Sequence, residues 1–150
     1  MWSRRLAEVK VYAAPGESME RSRQIAPLAG IVACLFVLGT LVVPYLLTDS
    51  TTASLYYDSG LLHPLVAGLL AVVSIVVFAA GREERTDPAL AAGVVLTFGL
   101  FMVFLVLAWA LTVRMDVAGP ELADHRWALV GMTLSVLATA AWYARSLGLL

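Results

Sequence analysis

Two histidines, His63 and His125, are the only imidazoles in this 150-residue chain, and each stands at the edge of a long apolar run. Asp49 and Asp58 lie near the first, and Asp116, Glu121 and Asp124 near the second. Imidazole nitrogens with carboxylate oxygens can hold a divalent metal, and two imidazoles alone can ligate a haem iron. His63 and His125 are therefore the metal-ligand candidates. No fixed ligand spacing such as HxxxH accompanies them. The plainer alternative is two interfacial imidazoles among solvated loop acids, and the residues assign no cofactor.

Other chemistries find less support. The central part of every apolar run lacks Asp, Glu, Lys, Arg and His. A charge there would cost at least ~2.5 kcal/mol on insertion scales, a cost that proton-coupled carriers accept for function. Small multidrug exporters rely on an embedded carboxylate, so that class is disfavoured. Four-span thiol oxidases need cysteine pairs, whereas Cys34 is the single thiol. Rhomboid-like catalysis wants an embedded His near a Ser, and Ser74 has no base visible in the sequence. No catalytic residue is assigned, and the balance is against an enzyme. A net charge of -1 with no basic stripe argues against a nucleic-acid partner.

The elements that would carry such residues follow from composition. Hydrophobic residues make up 61% of the chain and charged ones 14%, with a mean hydropathy of +0.86. That excess is too large for one aqueous core, and it comes in blocks of about 20 residues, the hydrocarbon thickness of a bilayer. The pattern predicts an all-α, four-transmembrane-helix bundle. Its domain covers 25–150, with spans at about 28–47, 61–80, 89–113 and 127–148. Asp58 or Ser59 would cap the second span, with Pro64 in its first turn. Gly81 would end that span, Asp87-Pro88 would start the third, and Gly119-Pro120 would turn into the fourth. "TDSTTASLYYDSG", 48–60, reads as a polar loop whose Tyr56 and Tyr57 either face a partner or simply sit at the membrane surface.

Residues 1–24 form a short polar, mostly basic segment. Trp2, Leu6, Val9 and Ala13 give it one weak amphipathic face, resting on the membrane, until "PGES" breaks it. Alternatively Met19 is the true start and the first 18 residues are a gene-calling extension.

Orientation follows from Lys and Arg. The N-terminal segment, the "GREERTDP" turn at 81–88 and the C-terminal end carry eight between them, against two in the remaining loops. Both termini and the 81–88 turn are thereby placed in the cytoplasm, N-in and C-in, in a multi-pass protein of the cell membrane. Tyr45, Trp109 and Trp127 would form the outer aromatic belt and Trp142 and Tyr143 the inner one, while Phe98, Phe101 and Phe104 read as packing residues.

In lipid, small residues let helices approach closely. Ala89, Gly93 and Thr97 recur every four residues in span three, and Gly131, Ser135 and Thr139 in span four. Gly30 with Cys34, and Ala67 with Ala71, complete a set of faces expected to look inward. Ser74 and Thr133 can bond their own helix backbone. The lipid bilayer is the expected partner, with a second copy or a larger membrane complex beside it.

From "APLAGIVACLFVLGTLVVPYLL" through "GREERTDPALAAG" to "HRWALVGMTLSVLATAAWYARSL", residues 24–150, the chain resembles an uncharacterised family of small four-span haloarchaeal membrane proteins. The resemblance implies a polytopic membrane location and supplies no activity or catalytic residue. A structural or accessory subunit acting through helix–helix association is the first expectation. A small permease for a neutral or lipophilic solute, or an outward-facing metal- or haem-binding protein, is the alternative.

Overall fold

The computed structural model describes the backbone of residues 2–150 and the side chains of residues 16–150. All regular structure there is helical: α1 (Trp2–Leu47), α2 (Ser50–Asp58), α3 (Leu65–Arg82), α4 (Pro88–Thr112), α5 (Met115–Ala118), a 3-10 turn (Pro120–Leu122) and α6 (His125–Ser146). Among the described residues, four stretches are long and apolar enough to cross a membrane: Gly16–Leu47, Leu65–Arg82, Pro88–Thr112 and Pro120–Ser146. α1 and α4 each pack against both α3 and α6. Joined by short connections, the four long helices run up and down in chain order around a square, the simplest bundle topology.

The ends of the helices differ from the sequence expectation in instructive ways. α1 runs unbroken through "PGES". A proline removes one hydrogen bond from the ladder without of itself ending the helix. The amphipathic face of Trp2, Leu6, Val9 and Ala13 lies outside the described side chains. The 48–60 segment is mostly helix α2 rather than loop, because Asp49 accepts from the Thr52 backbone N–H at 3.1 Å and starts it. Asp58 and Ser59 do not cap α3. Pro64 holds that place without a side-chain cap, and His63 just before it accepts from the Leu65 N–H through Nδ1 at 3.3 Å.

The α3–α4 hairpin closes as its residues suggest at one end only. Asp87 accepts from Ala89 N–H at 3.0 Å with Pro88 in the first turn of α4. At the other end Gly81 is inside α3, buried, and the left-handed position after the helix is taken by Glu84 at φ 54°. Arg85 N–H then reaches the Ala80 carbonyl at 3.0 Å, the six-to-one bond of a Schellman ending. Gly81 serves packing instead: a Cβ there would stand 2.7 Å from Ala91 Cβ and 2.8 Å from the Tyr143 hydroxyl.

The core follows a repeat of threes and fours along α4: Ala92, Val95, Gly99, Met102, Val106 and Trp109 are all buried. That repeat is the seam of a left-handed bundle. It displaces the stripe expected from small residues: Gly93 and Thr97 are exposed, on the side of the helix roughly opposite the seam. On α6 the seam is Leu129, Thr133, Val136, Ala140 and Tyr143, which leaves Gly131 exposed and Ser135 and Thr139 half-buried at the edge. Gly30, Cys34, Ala67 and Ala71 are buried. α4 comes close to α6 at Gly99, where a Cβ would lie 3.1 Å from the Leu137 Cα. Gly30 has the Phe78 ring directly against it.

Candidate functional site

The polar chemistry inside the bundle gathers at one end, under α2, and begins with a proline. Pro44 lies in the last turn of α1 and has no N–H, so the Thr40 carbonyl four residues earlier loses its regular helical donor. His125, the first residue of α6, fills the vacancy: its Nε2 lies 2.8 Å from the Thr40 oxygen. A carbonyl can only accept, so Nε2 carries the proton. Nδ1 is then an acceptor, and the Tyr56 hydroxyl donates to it at 3.3 Å. Next to it, the Tyr57 hydroxyl donates to the Leu41 carbonyl at 2.7 Å.

Rings enclose these bonds. Tyr56 meets Trp109 edge-on at 5.1 Å and His125 at 5.7 Å, while Tyr57 lies 5.4 Å from Tyr56 and 5.7 Å from Trp109. Edge-on and tilted pairs at these separations add about 0.5–1.5 kcal/mol each beyond the area they bury. Tyr56, Tyr57 and Trp109 are fully buried. Burial pushes the Tyr56 hydroxyl up to about 12 and raises that of Tyr57 as well, so both remain neutral donors at physiological pH. Two further bonds tie the segment down: Leu61 N–H to Thr112 Oγ1 at 2.9 Å, and Arg114 N–H to Ser59 Oγ at 3.2 Å. α2 is therefore a plug, with its tyrosines turned into the bundle rather than toward a partner or the membrane surface.

The two candidate metal ligands are each engaged by neighbouring groups. Tyr57 stands between the two imidazoles, with ring centres 6.4 Å from His63 and 6.2 Å from His125. Each imidazole nitrogen has its own protein partner. His63 accepts from the Leu65 N–H with Nδ1 and turns Nε2 to Asp58 Oδ1 at 2.9 Å. Among the described residues no three His, Cys, Asp or Glu side chains come together as a donor set. Asp49 caps α2, and Asp116 pairs with Arg114 at 2.7 Å, each in a local role.

Several aromatic assignments also change. Tyr45, Trp127 and Trp142 are exposed at the ends of the bundle as expected of a belt, but Trp109 and Tyr143 are buried. Phe101 and Phe104, expected inside, point outward. Thr133 bonds the Val130 carbonyl at 2.9 Å, while the buried Ser74 hydroxyl has no hydrogen-bond partner among the described residues. The signal that could have revealed the His125 contact was in the sequence: an in-helix proline frees a carbonyl, and a donor-bearing ring at the same depth is its natural partner.

Residues 19–148 match a family of unknown function, DUF7548, and the chain belongs to that family. No curated protein and no solved structure matches it.

Proposed function

We propose that this is a multi-pass membrane protein acting as a structural or accessory subunit, with both termini and the 81–88 turn on the cytoplasmic side. One observation carries it: the outside of the bundle is apolar and the inside is filled. Of the most apolar window of each long helix, only 33–39% is buried, so large side chains such as Phe36, Leu69, Val76, Leu100 and Phe104 face outward. Water does not tolerate a continuous apolar girdle of that extent, whereas hydrocarbon does. The interior holds Val37, Leu41, Phe78, Val95, Met102, Val106 and Val136, all buried, and the α2 plug closes one end. A packed axis under a tied-down plug favours a scaffold over a solute pathway.

Association is supported by what the packing leaves outside. Gly39, Gly93 and Gly131 have open space where a Cβ would stand, and Thr97 is exposed one turn from Gly93. In lipid, small residues on an outward face let another helix come close. The excess of Lys and Arg at the 81–88 end supports the orientation.

Cross-linking in native membranes, followed by mass measurement of the detergent-solubilised protein, tests the association. Oligomers or a co-purifying partner are expected, and Gly93→Leu should weaken them while helicity is unchanged. A strictly monomeric protein that brings nothing with it would end the scaffold reading. Orientation is tested separately by labelling Glu84→Cys in a Cys34→Ala background, where an impermeant reagent outside intact cells should not react.

A further inference from the structure

The end of the bundle away from α2 carries a groove whose lining matches a lipid headgroup. It lies between the α1 residues just before the apolar run and the last turns of α6. One hollow, of about 460 Å³, is lined by Glu17, Ser18, Arg21, Ser22, Ile25 and Trp142. A second, of about 250 Å³, shares Ser18, Ser22 and Trp142 and adds Arg145. The two hollows form one groove with a guanidinium on each side of the indole. α1 and α6 are held together there by Arg23, whose Nε donates to the Ser146 carbonyl at 3.2 Å. Among the described residues neither Arg21 nor Arg145 forms an ion pair.

We propose that this groove binds the phosphate of an anionic phospholipid in the cytoplasmic leaflet. The proposal rests on the membrane reading above. Four features point the same way. Two guanidinium groups with no carboxylate partner among the described residues are natural recognition elements for a phosphate diester. Trp142 is partly exposed at the depth where amphipathic rings meet headgroups. Ile25, also exposed, opens the groove toward the apolar outside of the bundle, where an acyl chain would run. Glu17 lies eight residues before Ile25 on α1, about 12 Å further from the apolar run. Its carboxylate disfavours a second anionic group there and accepts hydrogen bonds from a hydroxylated headgroup such as glycerol. The pairing of guanidinium near the hydrocarbon and carboxylate beyond it selects a monoanionic lipid.

The test uses the full chain reconstituted in vesicles of phosphatidylcholine with a minor fraction of phosphatidylglycerol, solubilised mildly, with the retained lipid counted by native mass spectrometry. Wild type should retain phosphatidylglycerol selectively. The Arg21→Gln/Arg145→Gln double variant should lose that selectivity roughly 25-fold, since each arginine at an anionic surface is worth about fivefold. The Arg21→Lys/Arg145→Lys variant, which keeps the charge, should retain most of it, as should Arg114→Gln at the opposite end. Selectivity that survives the glutamine pair overturns the proposal. So does displacement of the lipid by inorganic phosphate, which would mark a site for a free anion. A chain that is stripped from vesicles by alkali refutes the membrane reading itself. An alkali-resistant chain with no lipid preference refutes the headgroup site alone.

Discussion

Pro44 and His125 are 81 positions apart, yet the structure makes one dependent on the other, and that dependence can be measured. His125→Leu removes the Nε2 donor from the Thr40 carbonyl and the Nδ1 acceptor from the Tyr56 hydroxyl. A buried polar group left unpaired costs about 1–3 kcal/mol. Side-chain hydrogen bonds between helices in membranes measure lower, with a mean near 0.6 and a maximum near 1.7 kcal/mol. A total loss of about 2 kcal/mol is therefore expected, a little over half of it from the 2.8 Å bond to Thr40. Pro44→Ala restores an N–H at position 44, which can take the Thr40 carbonyl in the ordinary helical manner. In that background His125→Leu should cost about 1 kcal/mol less, because only the Tyr56 hydroxyl is then stranded. The assay is a double-mutant cycle on unfolding in mixed micelles, followed by far-UV circular dichroism and by tryptophan emission, since Trp109 sits against the Tyr56 ring. Residues this far apart in the chain without a shared partner would add within about 0.3–0.5 kcal/mol. Additivity of that kind would refute the claim that the imidazole serves the carbonyl freed by the proline.

Three other expectations follow from the packing and the caps. Glu84→Gly should stabilise the protein by about 1 kcal/mol, because Glu84 occupies the left-handed position at φ 54° that costs an L-residue about that much; no gain in the same micelle titration would contradict it. Gly30→Ala should destabilise by about 1–3 kcal/mol because its methyl meets the Phe78 ring, and Phe78→Leu in the same chain should recover part of the loss; an additive pair would show that the ring is not the obstacle. Asp49, hydrogen-bonded by Thr52, has its carboxyl held below the usual range. A depressed folded value means the cap contributes fully above the unfolded value near 4 and is lost as pH falls through the lower folded value. Exchange protection of the α2 amides should fall across that acid window in wild type and be flat in Asp49→Asn.

Much of the architecture was readable from residue types alone, and the reason is that it depends on local quantities. Apolar block length defines the four long helices, and Asp87 with Pro88 starts α4 through contacts made within two residues. The core of α4 was readable too, in principle, through the three-and-four spacing of Val95, Gly99, Met102 and Val106. The commoner four-residue spacing of Gly93 and Thr97 hid it, because small residues are frequent on both faces of such helices. Tyr56 and Tyr57 misled for a different reason. Their neighbours are polar, and only the capping of α2 by Asp49 and its folding back over the bundle turn them inward.

By itself, then, the sequence determined an all-helical chain, the number of its long apolar helices, and the asymmetry of charge between its two ends. These are sums over adjacent residues and need no knowledge of what lies across the bundle. Only the tertiary structure decided which face of each helix is inside, that α2 is a plug, and that His125 binds a backbone carbonyl while His63 meets the first N–H of α3 and the Asp58 carboxylate. Each of those outcomes depends on the rotation of one helix against another, where one residue step turns a side chain by about 100°. The partner of a freed carbonyl or of an imidazole nitrogen is set by that angle, and no composition or spacing within a single helix contains it.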